Sequence, residues 1–275
     1  MNFIYKLKIL IIRILCYEKP LRVALIRYLS LKFKFFRPHY ESPLYEIAKE
    51  AKKLGHNEIA ALELGVAGGN GLICLEKYAK KISKIVGITI KTYGFDFGDG
   101  LPPSKNTYDL PFYWKDGIFK SNKKLLSEKC NSKIYYGDIK DTAKIFFNEV
   151  SSQIAFVSVD LDFYSSTKNF LDLISINRNK FLPRSYFYFD DLFSPENYNC
   201  DFNGEMKAIH EFNNSNEFVK LGSSIDHIHN FKFPLCRSSI FTLHVFDNKN
   251  YFDYVGYDDE DTLDFGSKKV RKGLF

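Results

Sequence analysis

The sequence has few of the features that would place it outside the reducing interior of a cell. Its five cysteines are odd in number and scattered, and none forms a C-x-x-C pair. This argues against a disulfide framework and against thiolate-bound zinc. Near the N-terminus the longest uninterrupted apolar run is Ile9–Ile12, whereas a membrane-spanning helix needs about 20 apolar residues. No small-x-small cleavage site follows Arg13, so a secretory signal is not expected, and we predict a cytoplasmic protein.

Positive charge is concentrated in residues 1–40. The chain carries +6 overall, but these residues carry +8 and the remainder −2. This basic, apolar arm has two interpretations: a helix packed on the body or on a second subunit of a homo-oligomer, or an amphipathic helix in peripheral contact with the inner face of an anionic membrane. It lacks the alternation of aromatic and basic residues found on stacking platforms, so a nucleic-acid partner is not expected.

After residue 40, strand-like and helix-like patterns alternate without internal repeats or low-complexity linkers. Such alternation predicts an α/β fold, a Rossmann-like, doubly wound and mostly parallel sheet with helices on both faces. Seven segments have strand character, the first of them Glu58–Leu64, and the helix-like segments include Pro43–Leu54 and Thr142–Val150. We therefore predict one domain over residues 41–250, preceded by the arm and followed by a peripheral tail over residues 251–275.

The segment Ala60–Gly71 is the most informative part of the chain. An apolar strand ends at a glycine-rich turn, which contains Gly65, Gly68 and Gly69, and a helix follows. Glu63 lies just before the first glycine, where a carboxylate would repel the pyrophosphate of a dinucleotide. It suits a cationic ligand end, such as the amino-acid part of S-adenosylmethionine. The alternative is an ordinary strand–turn–helix unit with an exposed glutamate.

Five aspartates fall at or just beyond the ends of predicted strands, and they are Asp96, Asp138, Asp160, Asp190 and Asp191. The carboxyl ends of parallel strands share one edge of a sheet, where ligands bind. Asp96 is placed to hold ribose hydroxyls. Asp138 is placed to accept from an adenine amino group, or else to cap a helix. The other three would form an all-oxygen cage of the kind that Mg²⁺ prefers.

Several motifs together resemble the macrocin O-methyltransferase family, and the resemblance covers residues 58–192. The motifs are Leu62-Glu63-Leu64-Gly65, Gly94-Phe95-Asp96 before Gly100-Leu101-Pro102, Tyr136-Gly137-Asp138, the D-x-D segment from Asp160 to Thr167, and Phe189-Asp190-Asp191. The resemblance implies a class I S-adenosylmethionine-dependent enzyme with an antiparallel C-terminal strand. It implies a metal on Asp160, Asp190 and Asp191, with Asp160 also acting as general base. The methyl donor would lie over Glu63, Gly65, Gly68 and Gly69. Ala67 stands where many methyltransferases have a glycine.

Two further features remain open at this stage. Residues 101–122 are rich in aromatic side chains, which suits either a lid over the site or a surface loop with its own small cluster. His210, His227 and His229 are isolated histidines, which are more often structural than catalytic.

Our hypothesis is an O-methyltransferase that uses S-adenosylmethionine and a divalent metal, with Mg²⁺ expected, and acts on a hydroxyl of a sugar or another polyhydroxylated small-molecule or glycan acceptor. The alternatives are a metal-independent N- or carboxyl-methyltransferase and a non-catalytic S-adenosylmethionine-binding module. A nicotinamide-dependent oxidoreductase is disfavoured by Glu63 and by the absence of G-x-G-x-x-G spacing.

Overall fold

A computed structural model describes residues 37–193, 200–223 and 239–256. Most of the basic arm, His227, His229 and the tail beyond residue 256 lie outside the described residues. The interpretations of the arm, including membrane contact and oligomer formation, stay predictions. Within the described ranges, no helix combines the length and the apolar character needed to cross a membrane.

Seven strands form one sheet in the described part of the chain. They are β1 (Glu58–Leu64), β2 (Thr89–Asp96), β3 (Lys133–Tyr136), β4 (Gln153–Val159), β5 (Phe181–Phe189), β6 (Val219–Ser223) and β7 (Ile240–Val245). Their order is β3-β2-β1-β4-β5-β7-β6. The strands β1 to β5 pair in parallel, and β7 runs antiparallel between β5 and β6. The predicted mostly parallel sheet with an antiparallel C-terminal strand is confirmed.

Helices cover both faces of the sheet. They are α1 (Pro38–Lys53), α2 (Asn70–Val86), α3 (Lys123–Lys129), α4 (Ile139–Glu149), α5 (Tyr164–Ile176) and α6 (Gly204–Ser215). The helix α1 begins at Pro38 rather than at the predicted Pro43, which lies inside it. Proline favours the first turn of a helix, so the sequence offers two starting points and Pro38 takes that role. The domain boundary predicted at residue 40 therefore falls within α1.

Two apolar clusters, one on each face, hold these layers together. One packs residues of α4, α5 and α6 on the sheet, including the fully buried Phe146, Phe170 and Phe187. The other packs α1 and α2 on the opposite face, including Leu44 and Leu75. The strands β1 and β4 are buried on both faces apart from their first residues, which is why they read as largely apolar runs. Strand order reverses between β1 and β4, where a ligand crevice is expected.

Candidate functional site

A cavity of about 310 Å³ lies at the carboxyl edge of the sheet, beside the point where strand order reverses. The glycine-rich turn contributes Gly65 and Ala67 to its wall, and the strand ends contribute carboxylates. Five predicted acids line it together with Asp162, and they are Asp96, Asp138, Asp160, Asp190 and Asp191. The structure therefore brings the predicted aspartates to one cavity, whereas Glu63, Gly68 and Gly69 are not on its wall.

The glycine-rich turn requires glycine at two of its three predicted positions. Gly65 has a φ of +90°, and a Cβ there would lie 1.8 Å from the carbonyl oxygen of Asp160. Gly69 has a φ of +84°, and a Cβ there would lie 2.2 Å from Leu126. Gly68 has open space around it. Ala67 itself adopts the left-handed conformation with a φ of 42°, which glycine adopts more readily than alanine does.

Asp96 holds the turn in place. One of its carboxylate oxygens accepts hydrogen bonds from the backbone N–H groups of Val66 at 3.0 Å and Ala67 at 2.8 Å. The other accepts from the N–H of Gly98 at 2.7 Å and from the hydroxyl of Ser121. The predicted ribose ligand therefore lies on the cavity wall but already has four protein donors. Sequence reasoning missed Ser121, which no local motif distinguishes.

Asp138 is an N-cap. Its side chain accepts from the N–H of Lys140 at 2.9 Å at the start of α4, and its other oxygen lies 3.4 Å from Nζ of Lys105. Two roles were left open for Asp138, and the observed hydrogen bond is that of a helix cap. The side chain nevertheless remains on the cavity wall.

Glu63 is enclosed beneath the first turn of α2. A Cβ on Gly71 would lie 2.0 Å from its Oε1, so glycine at position 71 makes room for this carboxylate. Oε2 has no hydrogen-bond partner among the described residues. Burial raises the pKa of Glu63 to about 8, and the nearby Arg37 cation offsets part of that effect. The interpretation of Glu63 as an ordinary exposed glutamate is wrong, since only 2% of its surface is accessible.

Three carboxylates form a cluster on the cavity wall. Oxygen atoms of Asp160, Asp162 and Asp191 all lie within 4.8 Å of one another. The predicted metal set had Asp190 in place of Asp162. Asp190 lines the same cavity, but it is exposed and accepts a hydrogen bond from Tyr188 at 2.6 Å. Asp162 reaches the cluster from a backbone with a φ of 59°. That turn cannot be inferred from a D-x-D motif alone.

Burial and mutual repulsion make this cluster electrostatically costly. Burial raises the pKa of Asp162 to about 8, with Asp160 and Asp190 adding to the effect. Burial also raises the pKa values of Asp160 and Asp191 well above the usual aspartate range, and neighbouring carboxylates reinforce both shifts. Such an arrangement favours a bound proton or a bound cation.

Glu205 is a further buried acid behind the cluster that sequence reasoning missed. Its Oε2 accepts from the backbone N–H of Asp191 at 3.2 Å, while Oε1 has no hydrogen-bond partner among the described residues. Burial raises the pKa of Glu205 well above its usual range, and the charge of Asp191 adds to this. The sequence did hold a signal, since Glu205 shares the apolar face of α6 with Ala208, Ile209 and Phe212.

Residues 101–122 form one wall of the cavity through Leu101, Lys105, Trp114 and Phe119. They are anchored by Asp109, which is fully buried. Its carboxylate accepts from the N–H of Lys105 at 3.0 Å and from the N–H of Ser165, in the first turn of α5, at 2.8 Å. The segment is therefore part of the site rather than an independent surface loop.

The stability of the metal-free protein should fall between pH 5.5 and 8.5, in part because of Glu63. Its folded-state pKa of about 8 exceeds the ordinary value of 4.5, so the folded chain keeps a proton that the unfolded chain releases. This contribution is fully present below pH 4.5 and is lost as the pH rises through 8. Glu63→Gln should reduce this pH-dependent loss of unfolding free energy by an amount on the order of a few kcal/mol.

Thermal unfolding in a chelating buffer at both pH values measures this effect. Glu128→Gln, which changes an exposed glutamate of α3, is the matched control and should follow the wild type. Equal pH dependence in the wild type and in Glu63→Gln would contradict the assignment.

Comparison with known proteins supplies structural neighbours but no sequence family. No protein-family model matches the chain, and no curated protein matches it by sequence. A solved structure described as the calicheamicin methyltransferase CalS11 is similar, with a TM-score of 0.53 and 19% identity over 89% of this chain and 93% of that one. An apo structure of CalS11, described as a TDP-rhamnose 3'-O-methyltransferase, gives 0.46 at 18% identity over 89% and 95%. A structure described as a CmcI complex with Mg and SAM gives 0.38 at 14% identity over 72% and 70%. The first likeness shows a shared fold, and the other two scores are too low to add to it.

Proposed function

We propose that this protein is an S-adenosylmethionine-dependent O-methyltransferase. The observation that carries the proposal is the cavity at the reversal of strand order, bounded on one side by the glycine-rich turn and on the other by buried carboxylates. The fold shared with CalS11, which is described as a methyltransferase, supports the same activity. So does the resemblance of the motifs to the macrocin O-methyltransferase family.

The donor would lie along the glycine-rich turn. Close packing of Gly65 on the backbone of Asp160 holds the turn against the end of β4, and Asp96 fixes the N–H groups of Val66 and Ala67. A rigid turn presents the same surface to each donor molecule and therefore reduces the entropy lost on binding. Phe95, Phe97 and Ile139 provide apolar wall for a nucleoside.

In methyl transfer the acceptor oxygen attacks the methyl carbon in line with the sulfonium leaving group. One C–O bond forms as one C–S bond breaks, which leaves a thioether, and the hydroxyl proton must go to a base. We assign that base to a carboxylate oxygen of Asp160, which lines the cavity. Residues 101–122 cover one side of the cavity, which limits access of water from that side.

The carboxylate cluster also fits a divalent cation. Mg²⁺ and Ca²⁺ bind carboxylate oxygens at about 2.0–2.6 Å, so two ligands of one ion are at most about 5 Å apart. The oxygens of Asp160, Asp162 and Asp191 satisfy that limit, and their mutual repulsion favours a cation. Asp190, on the same wall, is a further ligand in the proposed set. When bound, the ion would lower the pKa of the acceptor hydroxyl.

The acceptor would be a sugar or another polyhydroxylated molecule. Ser165, Ser166 and Asn169 of α5 add neutral polar groups to the wall beside the acid cluster, which suits several hydroxyl groups. A metal-independent N- or carboxyl-methyltransferase remains the alternative, and a lack of metal dependence would favour it.

Calorimetric titration with S-adenosylhomocysteine, with and without Mg²⁺, tests the donor first. We expect the wild type to bind and Glu63→Ala to bind more weakly, because Glu63 fills the space beneath the first turn of α2, directly after the glycine-rich turn. Glu128→Ala is the exposed control. A panel of sugars and nucleotide sugars then tests the acceptor by release of S-adenosylhomocysteine from S-adenosylmethionine. Absence of binding by the wild type would overturn the proposal, and nicotinamide nucleotides would be the next ligands to titrate.

A further inference from the structure

Arg37 is a partly buried cation that directly precedes α1, and the chemistry described so far does not use it. Its Nη1 donates to the hydroxyl of Tyr40 at 3.1 Å, and its guanidinium lies over the Tyr40 ring at 5.1 Å. Its backbone N–H donates to the hydroxyl of Tyr78 at 3.0 Å. These contacts fix the position of the guanidinium at the N-terminal end of α1.

The contacts of Tyr40 place Arg37 over the carboxyl ends of β4 and β5. The Tyr40 hydroxyl accepts from the hydroxyl of Ser158, in β4 just before Asp160, at 2.7 Å. Its ring lies 5.8 Å from that of Tyr188, whose hydroxyl donates to Asp190. Burial by itself lowers the pKa of Arg37, but Tyr40, Glu63, Asp190 and Asp160 outweigh this and raise it. The guanidinium is therefore near acids that line the cavity.

The guanidinium keeps donors available. It has five N–H groups. Among the residues that the structure describes, its hydrogen bond is to the neutral Tyr40 hydroxyl, and it makes no ion pair at contact distance. A guanidinium fork matches a carboxylate in two parallel hydrogen bonds. A ligand carboxylate would thus satisfy a group that the protein leaves partly unmatched.

The surrounding charges restrict which anion can bind. The carboxylate of Asp190, on the cavity wall, lies near Arg37 and repels a simple anion. A zwitterion meets both signs of charge, because its ammonium would face this acid while its carboxylate would face the arginine. We propose that Arg37 binds the α-carboxylate of the methyl donor, as the anionic half of a subsite for its amino-acid end. This inference rests on the proposed function, since it takes S-adenosylmethionine as the ligand.

The test compares two ligands that differ only in this carboxylate, S-adenosylmethionine and decarboxylated S-adenosylmethionine, by calorimetry on the wild type and on Arg37→Met. A hydrogen-bonded charged pair contributes roughly ten- to a hundredfold in affinity. We expect Arg37→Met to weaken binding of S-adenosylmethionine by that factor and to leave the decarboxylated ligand unchanged. Arg37→Lys, which keeps the charge but not the fork, should fall between the wild type and Arg37→Met.

Arg178→Met is the matched control, because Arg178 pairs with Asp247 on the surface, and it should bind both ligands as the wild type does. Thermal unfolding identifies any variant that fails to fold, and Arg37→Lys then carries the comparison. Equal losses for both ligands, or no loss for either, would overturn the role of Arg37. If the wild type binds neither ligand, the proposed donor fails as well, and this result is distinct from the other two.

Discussion

Asp160→Asn should abolish methyl transfer while leaving S-adenosylhomocysteine binding within a few-fold of the wild type. The substitution keeps the size of the side chain but removes the proton acceptor that we assign to the hydroxyl. General-base catalysis contributes about 10²–10⁴-fold, and the same oxygen belongs to the cluster with Asp162 and Asp191. We therefore expect kcat to fall by about 10³-fold or more. The measurement is release of S-adenosylhomocysteine with the acceptor that the panel identifies.

The same variant should stabilise the metal-free protein at pH 8. Removing one of several buried, mutually repelling carboxylates relieves repulsion, so its melting temperature should exceed that of the wild type. Added Mg²⁺ should stabilise the wild type more than the variant. Asp172→Asn, which breaks a surface pair with Lys168 on α5, is the control and should change neither property much. Full activity in Asp160→Asn would remove Asp160 from the mechanism.

The layers of this fold are predictable because local pattern and burial agree. The strand β1 was predicted with its observed bounds, since its apolar run is buried on both faces and ends at a glycine. The helix α4 was predicted to start at Thr142, whereas it begins at Ile139 after the Asp138 cap. Capping residues and prolines set the ends of helices, and more than one residue near an end can take either role.

The sequence predicts only those residues of the site that lie at the ends of strands. Asp96, Asp160 and Asp190 could be placed at one edge because parallel strands end together. Arg37 and Glu205 come from the entrance to α1 and from α6, far from those motifs in sequence. Their positions depend on how helices pack on the sheet. The spacing within α6 predicts that Glu205 is buried, but it does not predict that Glu205 lies behind the carboxylate cluster. The same holds for Asp162, which joins the cluster only through its left-handed backbone.

Gly65→Ala should cost far more stability than an ordinary glycine substitution and should abolish donor binding. Gly65 has a φ of +90°, and an added Cβ would stand 1.8 Å from the carbonyl oxygen of Asp160. The left-handed conformation alone costs about 1–2 kcal/mol for a residue with a Cβ. The overlap must also push the glycine-rich turn away from the end of β4, so we expect a total loss of about 3 kcal/mol or more. Denaturant unfolding and S-adenosylhomocysteine titration measure the two effects.

The chain contains controls that separate these causes. Gly55 has a φ of +84° with open space around it, so Gly55→Ala should show the backbone cost alone and keep donor affinity. Gly68→Ala, in the same turn as Gly65 but with open space around it, should retain both stability and binding. If Gly65→Ala were no worse than Gly55→Ala, the close approach of β1 and β4 would not constrain the site. If it destabilised the fold as expected yet bound the donor normally, the glycine-rich turn would not be the donor surface. A loss of both, confined to Gly65, is the result that ties the packing of two strand ends to the binding of the donor.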